Sequence, residues 1–241
     1  MAGSVPEAVC RYLEGLDPQL EGEGGMVSLL AAGSQVVRTR RGDTVCAAGA
    51  ERRGCFMLLT GKVKLALLSQ DGTERVMDVI VPEATFGEAM LWSDRRDNLC
   101  AEALADSDLL FIGKVAIGNA FDRHPAFARA LMRRVCAQSQ RLLEDLEASC
   151  LLTAGERVER YLARNACRSQ RIGGHGEVQL PASKSVVASS LNLSAETFSR
   201  ELHRLAADAL ITIDRRTIHV HDIDGLARRS APTRRPQGQT G

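Results

Sequence analysis

The sequence predicts an α+β protein in three successive parts: a β-rich first half closed into a roll, one long helix, and a smaller helical domain ending in a β-hairpin. Three observations predict it. Between Gly33 and Ile112, short apolar or alternating runs are punctuated by Gly42-Asp43, Gly49, Gly61, Asp71-Gly72 and Gly87. After His124-Pro125, glycine disappears until Gly155 and helix formers dominate. Beyond Gly155, short helical segments lead into two alternating runs, 211–213 and 217–220, around Asp214-Arg215-Arg216. The expected boundaries are 1–124, 125–150 and 151–226, with 227–241 a disordered basic tail.

At 241 residues the chain is long enough for two domains of ordinary size. No stretch approaches the roughly 18 consecutive apolar residues of a membrane helix, and no basic-then-apolar leader opens the chain, so a cytoplasmic protein without membrane partners is expected. The seven cysteines are scattered, odd in number and form no CxxC pair, which argues against a zinc ribbon or a local iron-sulfur cluster. No metal site is expected. Residues 1–150 hold 17 Lys/Arg against 21 Asp/Glu, and residues 151–241 hold 14 against 9. The basic half is where nucleic acid would bind.

In the first half, runs at 55–59, 63–68 and 76–80 read as strands, and closure of the roll protects their edges. On the long helix, Leu131, Val135, Leu142 and Leu146 recur at helical spacing with Gln138 on the same stripe. That stripe suits either packing on the roll or a two-fold partner helix, with Gln138 setting the register; the second is preferred.

Beyond it, a helix is expected at 155–166, a strand at 178–180 stopped by Pro181, a helix from Ser183, a turn at 191–193 and a helix over 195–206. Asn192 suits the turn because asparagine tolerates the left-handed conformation, and Ser194 is a natural N-cap. Two helices joined by a tight turn can lower the second into the major groove of DNA. Glu196, Ser199 and Arg200 lie at i, i+3 and i+4 and share one face. Arg200 can donate two hydrogen bonds to guanine, Glu196 can accept from cytosine, and Ser199 can meet either kind of base, with Thr197 beside them. Leu202 and Leu205 should turn into the core against Val187 and Leu191. Ser183, Lys184, His203, Arg215 and Arg216 are candidates for phosphate, the last two at the tip of the hairpin wing.

Three stretches together resemble the CRP/FNR superfamily of transcription regulators: Gly61-Lys62-Val63-Lys64 with Asp71-Gly72-Thr73-Glu74, then Phe86-Gly87-Glu88-Ala89-Met90, then Leu193-Ser194-Ala195-Glu196-Thr197-Phe198-Ser199-Arg200. The resemblance covers roughly residues 30–224. It implies a double-stranded β-helix (jelly-roll) sensor domain like those that bind cyclic nucleotides, a dimerisation helix, and a winged helix-turn-helix. It also implies a homodimer on palindromic double-stranded DNA, with RNA polymerase as a further partner. The Glu-Thr-x-Ser-Arg form, with Ala195 before it, is similar to FNR-type regulators that prefer TTGAT-like half-sites.

The effector region departs from the cyclic-AMP branch of that family. The Arg-Ser pair that binds the cyclic phosphate there aligns with Asp97-Asn98, and Asp97 would repel a phosphate; Arg95 and Arg96 substitute if the alignment shifts by one. The Thr-Ser pair that meets adenine aligns with Leu142-Leu143, which makes the expected pocket of Phe86, Gly87, Glu88, residues 95–98 and these leucines more apolar. Cys10 stands alone where FNR clusters cysteines, so an iron-sulfur cofactor is not expected. The texture is most similar to the dissimilative nitrate respiration regulator branch, which is linked to nitric oxide sensing through haem. Haem is therefore the leading cofactor expectation, with His124, Cys100 or Cys136 as axial ligand; cyclic nucleotide is the alternative. The family usually has glycine at the position of Ala209, where a left-handed turn would be strained. A second class of function is a cyclic-nucleotide-binding module acting on a protein partner. An enzyme is the weakest class, since no nucleophile-base pair, metal spacing or phosphate loop is present.

Overall fold

The structure, a computed structural model, describes residues 4–20, 24–93, 98–168 and 174–230. The chain forms two compact units, residues 1–141 and 142–241, and the division falls inside the long helix.

The first unit is built on two four-stranded antiparallel sheets. The strands are β1 (Ser34–Thr39), β2 (Thr44–Cys46), β3 (Gly54–Thr60), β4 (Val63–Leu68), β5 (Glu74–Ile80), β6 (Thr85–Phe86), β7 (Leu99–Ala103) and β8 (Ser107–Gly113). One sheet has the order β1-β8-β3-β6 and the other β2-β7-β4-β5, so consecutive strands repeatedly switch sheets, as a jelly roll requires. Leu58, Val63, Leu65, Phe86 and Leu109 form the core within the roll.

Two N-terminal helices that composition did not announce cover one flank: α1 (Val5–Leu16) and α2 (Gly24–Ala32). A capping box between Ser4 and Glu7 starts α1. Tyr12, Leu13, Met26 and Leu30 from these helices pack with Met57 and Leu110 of the roll, and with Ile117 of α3 (Lys114–Arg123) and Phe127 of α4 (Pro125–Leu151). Each buried side chain of this kind contributes about 1.5–3 kcal/mol.

The stripe on α4 differs from its sequence expectation at one position. Leu131 is 1% exposed and belongs to the first unit's own core with Phe127 and Ala130, so it has no surface left for a partner. The large apolar residues that remain open on α4 are Met132, Leu142, Leu143, Leu146 and Leu151, while Val135 and Gln138 are half-buried.

The second unit contains α5 (Ala154–Asn165), β9 (Cys167–Arg168), β10 (Gly176–Gln179), α6 (Lys184–Ser190), α7 (Ala195–Ala207), β11 (Ile211–Asp214), β12 (Thr217–Val220) and α8 (Ile223–Arg229). A Thr153/Glu156 capping box opens α5. Arg160 and Arg164 of α5 then pair with Glu144 and Asp145 on the last turns of α4. The strands form one sheet in the order β11-β12-β10-β9. Val158, Leu162, Val187, Phe198, Leu202 and Leu205 fill the core beside it, with Leu191 packed at its edge.

The chain does not become a tail at residue 227. The Asp222 side chain accepts from the Gly225 N–H and caps α8, Ile223 and Leu226 are buried, and the Ser230 hydroxyl returns to the Leu226 carbonyl. Arg228 and Arg229 therefore stand on a packed helix; residues 231–241 lie outside the described residues. Among the described residues no helix is long and apolar enough to cross a membrane.

Candidate functional site

The helix pair α6–α7 is fixed by local chemistry. The Ser183 hydroxyl caps α6 by accepting from the Val186 N–H at 3.4 Å. At the other end, Asn192 adopts φ 58°, its N–H bonds to the Ser189 carbonyl and the Leu193 N–H to the Ala188 carbonyl. Those two bonds are a Schellman motif, in which a left-handed residue closes the helix and reverses the chain. Arg157 of α5 donates to the carbonyls of Leu191 and Asn192, at 3.1 and 3.3 Å, and ties the turn to the domain. Ser194 then caps α7, its hydroxyl accepting from the Thr197 N–H at 3.1 Å.

Phe198, Leu202 and Leu205 occupy the buried face of α7. Glu196, Ser199 and Arg200 occupy the other, with exposed His203 one turn on. The Arg200 side chain is 69% exposed and only loosely paired with Glu201, at 3.8 Å. Thr197 is half-buried and its hydroxyl accepts from that of Ser194, so it buttresses the first turn. Its own backbone N–H and then the Ser194 side chain hold the Glu196 carboxyl below the usual carboxylate range, and it is ready to accept a hydrogen bond at the positive end of the helix.

The hairpin β11–β12 turns on two residues, Arg215 (φ 54°) and Arg216, both exposed. Arg216 also reaches back to the Leu180 carbonyl at 3.4 Å. Lys184 is half-buried on the first turn of α6.

A feature the sequence reading missed sets the orientation of α7. Glu159 on α5 is buried, yet its two carboxylate oxygens bind Arg204 of α7 at 3.1 Å and Arg229 of α8 at 3.3 Å. Arg204 also binds Glu201 at 2.8 Å. A buried carboxylate is tolerated only when paired in this way. The signal available beforehand was weak: acids and arginines at helical spacing look the same on a solvated surface.

In the first unit, a small, partly open recess of about 20 Å³ lies between the sheets. Phe86 and Gly87 line it, as expected, together with Cys100 and with Cys46, Arg52 and Met90, which the sequence reading did not select. Gly87 takes φ 97°, a conformation costly for any residue with a Cβ. Arg52 donates to the Leu99 carbonyl at 2.6 Å and contacts the Cys46 sulfur.

Several expected pocket residues stand elsewhere. Glu88 is turned away from the cleft: it is 1% exposed and accepts from the Thr85 hydroxyl beneath the wall. The Thr85 hydrogen bond and the nearby Arg134 favour the carboxylate there, but desolvation by burial outweighs them and raises the Glu88 pKa. Asn98 is exposed, Leu142 and Leu143 are exposed on α4, and Arg95, Arg96 and Asp97 lie outside the described residues. Of the three candidate haem ligands, Cys100 lines the cleft and donates to the Ala66 carbonyl at 3.3 Å. His124 sits half-buried at the junction of α3 and α4, and Cys136 is exposed on α4. Among the described residues no group of three His, Cys, Asp or Glu side chains could hold a metal ion.

Comparison with known proteins agrees with this division of labour. Residues 36–124 match the cyclic nucleotide-binding domain family and residues 156–229 the Crp-like helix-turn-helix domain family. The chain is 29% identical over 197 residues to the nitrogen fixation regulation protein FixK of Rhizobium meliloti, covering 81% of this chain and 87% of that protein. It is 23% identical over 209 residues to a CRP-like cAMP-activated global transcriptional regulator of Mycobacterium tuberculosis, covering 86% and 93%. Among solved structures, FixK2 from Bradyrhizobium japonicum superposes with a TM-score of 0.71 at 22% identity, covering 81% of this chain and 96% of that one. Both domain matches, in this order on one chain, place the protein in the CRP/FNR superfamily of DNA-binding transcription regulators.

Proposed function

We propose that the protein is an effector-gated regulator that reads a TTGAT-like palindrome as a homodimer through α7. One observation carries this reading: Glu196 and Arg200 are exposed, with half-buried Ser199 beside them, on one face of a capped helix whose opposite face is locked into the core. Arg200 is placed to donate two hydrogen bonds to guanine O6 and N7, and Glu196 to accept from a cytosine amino group. Ser183, Lys184, His203, Arg215 and Arg216 would position the domain on phosphates without conferring sequence preference. The open leucines of α4 support a two-fold partner helix, which would set the two α7 helices on half-sites about one helical turn apart. RNA polymerase is the protein partner this role implies.

The cleft is the candidate effector site, and its described walls do not fit a cyclic nucleotide. Arg52 is the one charged group among them, it already donates to Leu99, and the Glu88 carboxylate faces away from any ribose. The lining suits a small, mainly apolar molecule. The lining does not fit haem: the recess is far smaller than the macrocycle, and its two thiols, Cys46 and Cys100, are engaged with Arg52 and the Ala66 carbonyl. Absorption spectra of haem-reconstituted protein with and without nitric oxide, beside a cyclic-AMP titration, test both exclusions.

The DNA reading is tested by fluorescence anisotropy on a TTGAT palindrome and a scrambled duplex. Wild type should prefer the palindrome by about a thousandfold or more, and Arg200→Ala should lose about ten- to a hundredfold of that preference with the oligomeric state unchanged. An unaltered preference in the variant would overturn the assignment of Arg200.

A further inference from the structure

Behind the wall of the cleft lies a buried polar cluster assembled from separate elements. Tyr12 of α1, Cys55 of β3 and Glu88 of the single turn after β6 are each at most 1% exposed. Thr85 of β6 connects this cluster to the long helix. Its hydroxyl has one proton, donated to the Glu88 carboxylate, and its oxygen accepts from the Arg134 guanidinium at 2.8 Å. The second Arg134 nitrogen donates to the Gly15 carbonyl at 3.3 Å, which anchors the guanidinium against the end of α1. The Tyr12 hydroxyl faces the Cys55 thiol in the same cluster.

The wall of the cleft and this chain of bonds share one short stretch of backbone. Phe86, Gly87 and Met90 face the cleft, while Thr85 and Glu88, interleaved with them, face the cluster. A molecule that displaces residues 86–90 therefore moves the Thr85 hydroxyl and the Glu88 carboxylate with them. Arg134 must follow or lose a charge-assisted hydrogen bond, which is about twice as strong as a neutral one.

We infer that Thr85 and Arg134 are positioning residues that couple the cleft wall to α4, passing a displacement of residues 86–90 through one hydroxyl to the helix. The inference rests on the reading of the cleft as the effector site. Neighbouring Arg133 is a built-in control, since it pairs with Asp17 rather than with the wall.

The test uses the full chain as wild type, Thr85→Val, Thr85→Ser, Arg134→Met, the Val/Met double variant and Arg133→Met. Amide hydrogen exchange is followed at residues 86–91 and in the first half of α4, with palindrome affinity measured beside it. Thr85→Val and Arg134→Met should each speed exchange in both segments by about tenfold, and the double variant by no more than either single one. Thr85→Ser, which keeps the hydroxyl, and Arg133→Met should leave residues 86–91 as in wild type. Palindrome affinity should shift in one direction and by one factor in both single variants and the double. The coupling is refuted if Thr85→Val loosens the turn while α4 stays protected, or if the two single effects multiply. Should Arg134→Met fail to fold, Arg134→Lys carries the same comparison, because lysine keeps the charge but lacks the fork that reaches both Thr85 and Gly15. If wild type shows no sequence preference on DNA, the regulator reading falls, and the exchange data still decide the coupling.

Discussion

The Nδ1 atom of His221 lies 2.7 Å from the carbonyl oxygen of Ala209 and secures the turn that leads from α7 into the wing. A carbonyl only accepts, so Nδ1 carries the hydrogen and Nε2 accepts from the Thr212 hydroxyl, at 2.9 Å. Ala209 takes φ 56° in a Schellman motif, with its N–H on the Ala206 carbonyl and the Leu210 N–H on the Leu205 carbonyl. A Cβ in that conformation costs about 1–2 kcal/mol. Ala209→Gly should therefore raise the thermal unfolding midpoint by several degrees, roughly 4–8 °C per kcal/mol for a domain of this size. His221→Ala should lower it, as calorimetry of the full chain would show; an unmoved midpoint in the glycine variant would mean the turn carries no strain.

Glu159 of α5 ties α7 to α8 through Arg204 and Arg229. Glu159→Ala leaves Arg204 and Arg229 without their shared buried acceptor. Both arginines are partly exposed, so solvent screening reduces the loss; a destabilisation of about 2 kcal/mol is expected. Urea unfolding followed by circular dichroism measures it. On the proposed role of α7, palindrome affinity should fall along with stability, because Arg204 lies on that helix.

Glu88 imposes a pH dependence of defined sign. Burial raises its folded pKa above the ordinary value of 4.5, so its contribution to stability is complete below that value and is lost as pH rises through the folded one. Urea midpoints should therefore decline from acid towards neutral pH on account of this group. Glu88→Gln should flatten the decline and be at least as stable as wild type at pH 7. A parallel pair of profiles would show that Glu88 is not the titrating group.

Leu143 and Leu146 are 66% and 59% exposed on α4. Replacing both by glutamate would place charges in the expected helix-helix seam while leaving the first unit's core untouched. Sedimentation should show a monomer, and affinity for the full palindrome should fall towards that for a single half-site. A variant that remains dimeric would locate the two-fold contact elsewhere.

The helix-turn-helix was legible because its determinants act over a few residues. Ser183 and Ser194 cap helices next to them, Asn192 ends one by its own backbone preference, and spacing alone puts Glu196, Ser199 and Arg200 together. The roll was legible from the rhythm of glycine turns. The N-terminal helices were missed for different reasons: α2 (Gly24–Ala32) is short, mostly apolar and without an amphipathic stripe, whereas α1 carries a readable signal in its Ser4/Glu7 capping box and its amphipathic pattern. Arg52 was missed for a related reason: it enters the cleft from the stretch between β2 and β3, and nothing local marks the direction of an arginine there.

Sequence by itself determined the caps of α6 and α7, the turn between them, the glycine-punctuated strands of the roll and which face of α7 is open, since these depend mostly on near neighbours in the chain. Tertiary packing alone decided that Glu88 looks away from the cleft, that Leu131 enters the core, and that Glu159 joins three helices. In each case a side chain could have pointed to either side of its element. The partner that selected the side came from a distant part of the chain, whose arrival in space no short window of sequence encodes.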